Sequence, residues 1–256
     1  MNPHTPIELV VLDMAGTTGL DDGIVEQAFQ RAAERTGVAS RIGWEAALQY
    51  VRDTMGQSKI DVFTHLADGD VETAERATAQ FEAAYAEIVA EQGVTGIPGA
   101  ADAIRALRAA GLKVWLTTGF APITRDALLD ALGWRDLVDG VLSPVDAGRG
   151  RPAPDLVLTA LLRAGASSVQ AVAVAGDTVS DVQSGRRAGA GFVAGVLTGA
   201  HDAAALAAAG PDAVLPDVTA LAAALVERGL VPGLAAEPPA SATLAPEPAV
   251  APIAAG

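Results

Sequence analysis

An α/β fold built on a Rossmann-like parallel sheet, interrupted early by an all-helical insertion, is what the sequence predicts, and three observations predict it. Residues 7–12 (IELVVL) form an apolar run, β-branched at Ile7, Val10 and Val11, that ends abruptly in Asp13. Such a run reads as a strand buried on both faces, as parallel strands are. From Ile97 onward, short strand-like runs alternate with helical stretches of about 10 to 15 residues, the pattern of a parallel sheet covered on both faces. Between these two parts, residues 20–95 contain helical periodicity and no convincing strand, too much chain for a simple crossover.

The elements follow in order. Met14 to Thr18 carry a glycine and two hydroxyls and no proline, which suits a tight loop with free backbone N–H groups. Leu20 to Gly37 has Asp21 or Asp22 as a cap, apolar spacing at Ile24, Val25, Ala28, Phe29 and Ala32, and Gly37 as a stop. Further helices are expected over Trp44–Met55 and Val71–Glu91, with GQSKIDVFTHL between them. Pro98 to Gly111 is a helix with a stop at each end, Lys113–Thr118 a strand, and Ile123–Leu132 a helix ending at Gly133. Val138–Leu142 is a short strand, Asp155–Ala164 a helix, and Ala171–Ala175 a strand running into GDTVSD. Val179–Ala190 is helical, Gly191–Val196 and Ala213–Leu215 are strands, and Val218–Gly229 is the final helix. Residues 1–19 and 96–230 are therefore expected to form the α/β core and residues 20–95 a helical module. Residues 231–256, mostly Ala, Pro, Gly and Glu, are expected to be a mobile tail of polyproline II character, too poor in large apolar side chains to offset ordering entropy.

Composition narrows the function. The formal charge is −14, from 17 basic and 31 acidic residues, which argues against nucleic acid or anionic membrane as a partner and for a small ligand held locally. No run of 18 apolar residues and no basic leader before an apolar segment is found, so the cytoplasm is the expected compartment. Cysteine is absent, which excludes disulfides, thiolate ligands and cysteine nucleophiles.

Three strand ends carry polar groups whose chemistry combines: Asp13 and Ala15 at the first, Thr117 and Thr118 at the second, and Asp177 with Asp181 at another, preceded by Arg151 in GRPAP. In an open parallel sheet, ligands bind at the carboxyl edge. Carboxylates gathered there make the hard oxygen site that Mg²⁺ prefers. One of them can act as nucleophile toward phosphorus, while the Thr118 hydroxyl and the Arg151 cation hold the other phosphoryl oxygens. Each residue alone has a plainer reading: helix cap for an Asp, strand end for TT, surface ion partner for an Arg. It is the combination that points to chemistry.

DMAGTT, LTTG, GRPAP and GDTVSD resemble, in order and spacing, the four motifs of the haloacid dehalogenase superfamily of hydrolases, over about residues 7–230. The insertion is similar to that superfamily's C1-type cap. The resemblance implies Asp13 as nucleophile, Thr118 and Arg151 on the phosphoryl group, and Mg²⁺ held by Asp13, Asp177, Asp181 and the carbonyl of Ala15. Ordinary phosphatases of the superfamily have a second Asp where this chain has Ala15, and a general acid of that kind contributes roughly 10² to 10⁴ in rate. The branch that dispenses with it is the phosphonatase type, similar to phosphonoacetaldehyde hydrolase, whose first motif also reads Asp, any residue, Ala-Gly-Thr-Thr. There a cap lysine forms a Schiff base and a carbon–phosphorus bond is cleaved.

Lys59, the one lysine between residues 20 and 95, sits in MGQSKID, which resembles the segment carrying that lysine. Alone it would read as a solvated surface residue; beside Ala15 it reads as the amine of a phosphonatase. By the same resemblance Ala15, Gly16, Thr17, Thr118, Gly119, Arg151 and Met55 surround the substrate, and Thr17, Thr18 and Thr178 would orient the carboxylates. Two departures stand out: Val62 where that branch has a histidine, the nearest being His65, expected to pack, and Phe120 where it has a tyrosine. The substrate thus stays open between a small phosphonate and a small phosphate ester, as for a phosphoglycolate phosphatase-like enzyme, with a binding protein that has lost turnover as a third reading. The resemblance also implies a homodimer through the cap, although Phe29, Trp44 and Tyr50 equally suit a cap core.

Overall fold

Six strands form one sheet, in the order β3-β2-β1-β4-β5-β6, in a computed structural model that describes residues 5–21 and 23–231. They are β1 (Leu9–Asp13), β2 (Lys113–Thr117), β3 (Gly140–Leu142), β4 (Val172–Gly176), β5 (Phe192–Val196) and β6 (Ala213–Leu215), and every neighbouring pair is parallel. β1 lies at the centre, Asp13 in register with Thr117 of β2 and Leu12 with Ala175 of β4. Its side chains alternate between two cores: Val10 and Leu12 join one apolar cluster, Leu9 and Val11 the other. Burial on both faces explains why the run reads as continuously apolar. From β1 the chain proceeds outward to β2 and β3 and then returns to place β4 on the other side of β1. The carboxyl end of β1 is therefore a topological switch point, where a crevice opens.

The helices are α1 (Ile24–Thr36), α2 (Trp44–Asp53), α3 (Lys59–Leu66), α4 (Val71–Gln92), α5 (Ala100–Ala109), α6 (Pro122–Leu132), α7 (Asp155–Ala164), α8 (Val179–Ala188), α9 (Ala203–Ala208) and α10 (Leu221–Glu227). The first four fill the connection between β1 and α5. Their interior is aromatic, with the Phe29 ring 4.9 Å from Phe63 and 4.7 Å from Phe81 between centroids. Tyr50 instead stacks on the exposed His65, at 3.9 Å. The chain enters and leaves this insertion along two antiparallel segments: Leu20 N–H donates to Thr95 at 2.9 Å and Ile97 N–H to Thr18 at 2.8 Å.

Several elements differ from the sequence expectation, and α3 lies inside the GQSKIDVFTHL stretch for which no helix was expected. α1 starts at Ile24, because Gly23 takes a left-handed φ of 76° that ends the approach; Asp21 still caps it, accepting from Val25 N–H at 3.0 Å, and Asp22 lies outside the described residues. The short α9 was not expected; its alanines carry no amphipathic signal, and the Asp202 cap, accepting from Ala205 N–H at 2.8 Å, starts it. The last helix is split into a 3₁₀ turn, Val218–Ala220, and α10. The tail expected from residue 231 lies outside the described residues beyond Val231. Among the described residues, no helix is long and apolar enough to cross a membrane.

Candidate active site

The carboxyl ends of β1, β2 and β4 bring Asp13, Thr118 and Asp177 to one place, and the GRPAP segment delivers Arg151 there. All four are buried. Asp181 enters because α8 begins immediately after β4 with a capping box: Thr178 Oγ1 accepts from Asp181 N–H at 3.2 Å, and the Asp181 carboxylate accepts from Thr178 N–H at 3.1 Å. The same carboxylate pairs with Arg151, whose Nη1 also donates to Asp13 Oδ1 at 2.5 Å. Asp177 is held by Thr17 Oγ1 at 2.9 Å and Ala200 N–H at 2.8 Å. Thr18 Oγ1 donates to the carbonyl of Asp13 at 3.0 Å, tying the loop to its strand.

Oxygens of Asp13, Asp177 and Asp181 lie within 4.8 Å of one another. Burial raises the Asp13 carboxyl well above its ordinary value, with Asp181 and Asp177 adding to it against the opposing Arg151. Burial and then Asp181 push Asp177 to about 6. Burial works against the Arg151 charge, but Asp13 and Asp181 outweigh it and hold the guanidinium protonated. One guanidinium thus faces three crowded carboxylates, and a divalent cation with a preference for oxygen fits that imbalance. Arg151 Nε is buried without a partner among the described residues, which leaves a donor for an oxyanion.

The insertion closes this site from above. Lys59 is the first residue of α3 and is 6% exposed. Its Nζ lies 5.4, 5.5 and 5.1 Å from the ring centroids of Phe29, Phe81 and Phe120. Burial, and then the charge of Arg151, lower the Lys59 ammonium from 10.5 to about 8, while Glu82, Asp21 and Asp13 oppose the shift. Met55 to Ser58 rest on the core through close backbone approach. A Cβ on Gly119 would come 2.6 Å from the Gln57 carbonyl oxygen, and one on Gly150 would come 2.8 Å from Ser58 Cβ.

Asp13, Ala15, Met55, Lys59, Thr118, Gly119, Phe120, Arg151 and Asp177 line a single cavity of about 30 Å³. Gly16 and Thr17 lie behind it: Thr17 braces Asp177, and a Cβ on Gly16 would strike that carboxylate at 2.6 Å. Neither Val62 nor His65 lines it. Residues that the sequence did not place at the site are also here. Asp21 and Ala200 line the cavity, and Glu82 of α4 is buried with one oxygen accepting from Ala121 N–H at 3.1 Å and the other unpartnered. Tyr85 packs its ring 4.6 Å from that of Phe120. Glu82 and Tyr85 were hidden because they flank the apolar stripe of a 22-residue helix, where a lone polar residue carries no signal.

A switch-point crevice with clustered carboxylates, a buried arginine and a roof of helices defines an α/β enzyme that handles an oxyanion beside a cation. The haloacid dehalogenase-like hydrolase profile matches residues 7–189. The chain is 30% identical over 209 residues to the phosphonoacetaldehyde hydrolase of Bordetella pertussis, across 75% of this chain and 74% of that one. Among solved structures, a hydrolase from Pseudomonas syringae superposes with a TM-score of 0.74 at 26% identity, covering 86% of this chain and 98% of that one. A hydrolase of the same family from Deinococcus radiodurans, with bound phosphate and sodium, gives 0.61 at 29% identity over 89% and 98%. This chain belongs to the haloacid dehalogenase-like hydrolases.

Proposed function

We propose that this hydrolase cleaves the carbon–phosphorus bond of a small phosphonate bearing a carbonyl group, with residues 1–19 and 96–230 as the core and 20–95 as the cap. The observation that carries the reading is the buried Lys59 amine, opening on the same cavity as Asp13 where the residue two after the nucleophile is alanine. An ester hydrolase needs an acid for its leaving alcohol and has no use for an amine; a carbonyl phosphonate needs the reverse. The likeness to the Bordetella phosphonoacetaldehyde hydrolase supports the same chemistry.

In this reading the amine of Lys59 adds to the carbonyl and water is lost, leaving a protonated imine. A carboxylate oxygen of Asp13 attacks phosphorus in line; the carbon–phosphorus electron pair moves into the iminium and gives an enamine on Lys59. Arg151 and the Thr118 hydroxyl hold the phosphoryl oxygens as it transfers. Water then hydrolyses the aspartyl phosphate and, after protonation of the enamine carbon, the imine. A Mg²⁺ ion held by Asp13, Asp177, Asp181 and the Ala15 carbonyl would supply neutralisation of phosphoryl charge. Thr17 and Thr178 orient Asp177 and Asp181.

The test is incubation with phosphonoacetaldehyde and, separately, phosphoglycolate, with borohydride trapping and mass spectrometry. Acetaldehyde release and a reduced adduct on Lys59 are expected. Rapid turnover of phosphoglycolate, undiminished in Lys59→Ala, would replace this reading with a phosphomonoesterase.

A further inference from the structure

Imine formation on Lys59 moves protons that the lysine cannot move alone, and this inference rests on the carbonyl-phosphonate reading above. A proton must leave the ammonium before attack, and one must reach the carbinolamine hydroxyl before it departs as water. The loop after Asp13 offers only the methyl group of Ala15. The opposite wall of the chamber offers a carboxyl. Asp21 lines the cavity together with Lys59, Asp13 and Phe120. Its Oδ1 accepts from Val25 N–H at 3.0 Å, and its Oδ2 makes no hydrogen bond to another described residue.

Asp21 also lines a second, larger cavity of about 390 Å³, together with Glu26, Arg52, Asp53 and His201. Met55 and Ala200 form the rest of the wall common to the two. Asp21 therefore stands between the smaller cavity and an outer space large enough to hold many waters. It can take a proton on one side and return it on the other.

We propose that Asp21 is the general acid–base group of imine formation, serving Lys59 from the connection between β1 and α1. Through a water in the cavity they share, its carboxylate takes a proton from the Lys59 ammonium, and the free amine adds to the carbonyl. The resulting ammonium alkoxide passes a proton from nitrogen to oxygen. The Asp21 carboxylic acid then protonates the carbinolamine hydroxyl, water leaves, and the nitrogen lone pair closes the iminium. Lysine ammonium and aldehyde have become iminium and water, and Asp21 is again a carboxylate.

The surroundings suit this work. Burial first, with smaller contributions from Glu26 of α1 and Asp13 of β1, raises Asp21 from 3.8 to about 6; the Val25 N–H and Lys59 of α3 oppose it. Burial first, and then the Asp21 charge, raise the phenol of Tyr85 on α4. With Lys59 lowered to about 8, donor and acceptor are close enough for transfer in either direction near neutral pH.

Helix capping alone would also place an aspartate at position 21, so the test separates the two roles. Asp21→Asn keeps the Oδ1 acceptor and hence the cap, and it removes the proton carrier. Acetaldehyde and borohydride serve as a probe that needs neither phosphorus nor metal, with the rate of Lys59 alkylation read by mass spectrometry across pH. In the wild-type chain the rate is expected to be level between about pH 6 and about pH 8. In Asp21→Asn it is expected to be about 10²-fold lower at neutrality and to climb roughly tenfold per pH unit up to about 8, because the lysine must then lose its proton to water. Asp21→Glu is expected to recover part of the rate, and the melting temperature of Asp21→Asn to stay at or above that of the wild type. Equal rates and equal pH profiles in wild type and Asp21→Asn would overturn the proposal and leave the imine reading standing. Failure of the wild-type chain to form any Lys59 adduct would overturn both. Should Asp21→Asn unfold, Asp21→Glu decides: a profile identical to that of the wild type in rate and in both limbs would overturn the role of Asp21.

Discussion

The floor and the roof of the reaction chamber hold charge in opposite ways. In the floor, Asp13, Asp177, Asp181 and Arg151 are buried together, and each ion is held by another ion, a threonine hydroxyl or a backbone N–H. In the roof, Lys59 sits among Phe29, Phe81 and Phe120 with no ion pair among the described residues. The floor gives its groups partners, although burial still raises the Asp13 and Asp177 carboxyls above their ordinary values. The roof makes an amine reactive by withholding partners, aided by its place at the positive end of α3. Charge is concentrated below, where phosphorus would bind, and reactivity is created by desolvation above, where carbon would bind.

Substitutions that exchange the two strategies test the contrast. The largest effect is expected from the pair Asp13→Asn and Lys59→Met. Asp13→Asn should lower phosphate release from any substrate by roughly 10⁴-fold or more, as loss of a nucleophile does. Lys59→Met should abolish turnover of a carbonyl phosphonate and leave any slow ester hydrolysis untouched, which rates on both substrates would show. If Lys59→Met slowed both substrates alike, roof and floor would not be divided as described.

A smaller effect is expected where roof meets floor. Gly119→Ala places a methyl group against the Gln57 carbonyl and should hold the cap about an ångström away. Misplacement of that size can cost about 10²-fold, and here it should lower kcat for the phosphonate while the melting temperature barely changes. The smallest effect is on stability. Because the native Lys59 value is about 8 against an ordinary 10.5, the unfolded chain binds more protons between those values, and stability rises with pH through that window. At neutral pH the charged lysine therefore costs the fold about 3 kcal/mol. Denaturant unfolding at pH 7 and pH 10 should show Lys59→Met gaining at the lower pH and losing that advantage at the higher.

The two halves were also unequally legible. The floor can be read in the chain because Asp13 ends β1, Asp177 follows β4 directly and Asp181 lies in the first turn of the helix after it, and a parallel sheet gathers strand ends at one edge. Asp13 in register with Thr117 is a consequence of pairing, not of any special contact. The roof offered one lysine. Its aromatic lining comes from positions 29, 81 and 120, which no periodicity connects, and from packing of α1 on α4 that only the folded insertion reveals. Asp21 was legible as a cap, and its side chain accepts from Val25 N–H; that the residue also lines the chamber depends on how the two connecting segments pair across Gly19 and Gly96. Local rules describe what a residue does for its own helix and are silent about what it faces across the fold.

The chamber of about 30 Å³ has a kinetic consequence. It has room for about two waters, too little in the conformation described for a small phosphonate of the proposed kind. Turnover of such a substrate would then require at least one excursion of the insertion away from the core. If the proposed reaction holds, two products of unlike size and charge leave through that opening, and this traffic would set a ceiling on turnover that no improvement at Asp13 or Lys59 can lift. A dependence of kcat on solvent viscosity would be the signature of an enzyme that spends its cycle waiting on its own door.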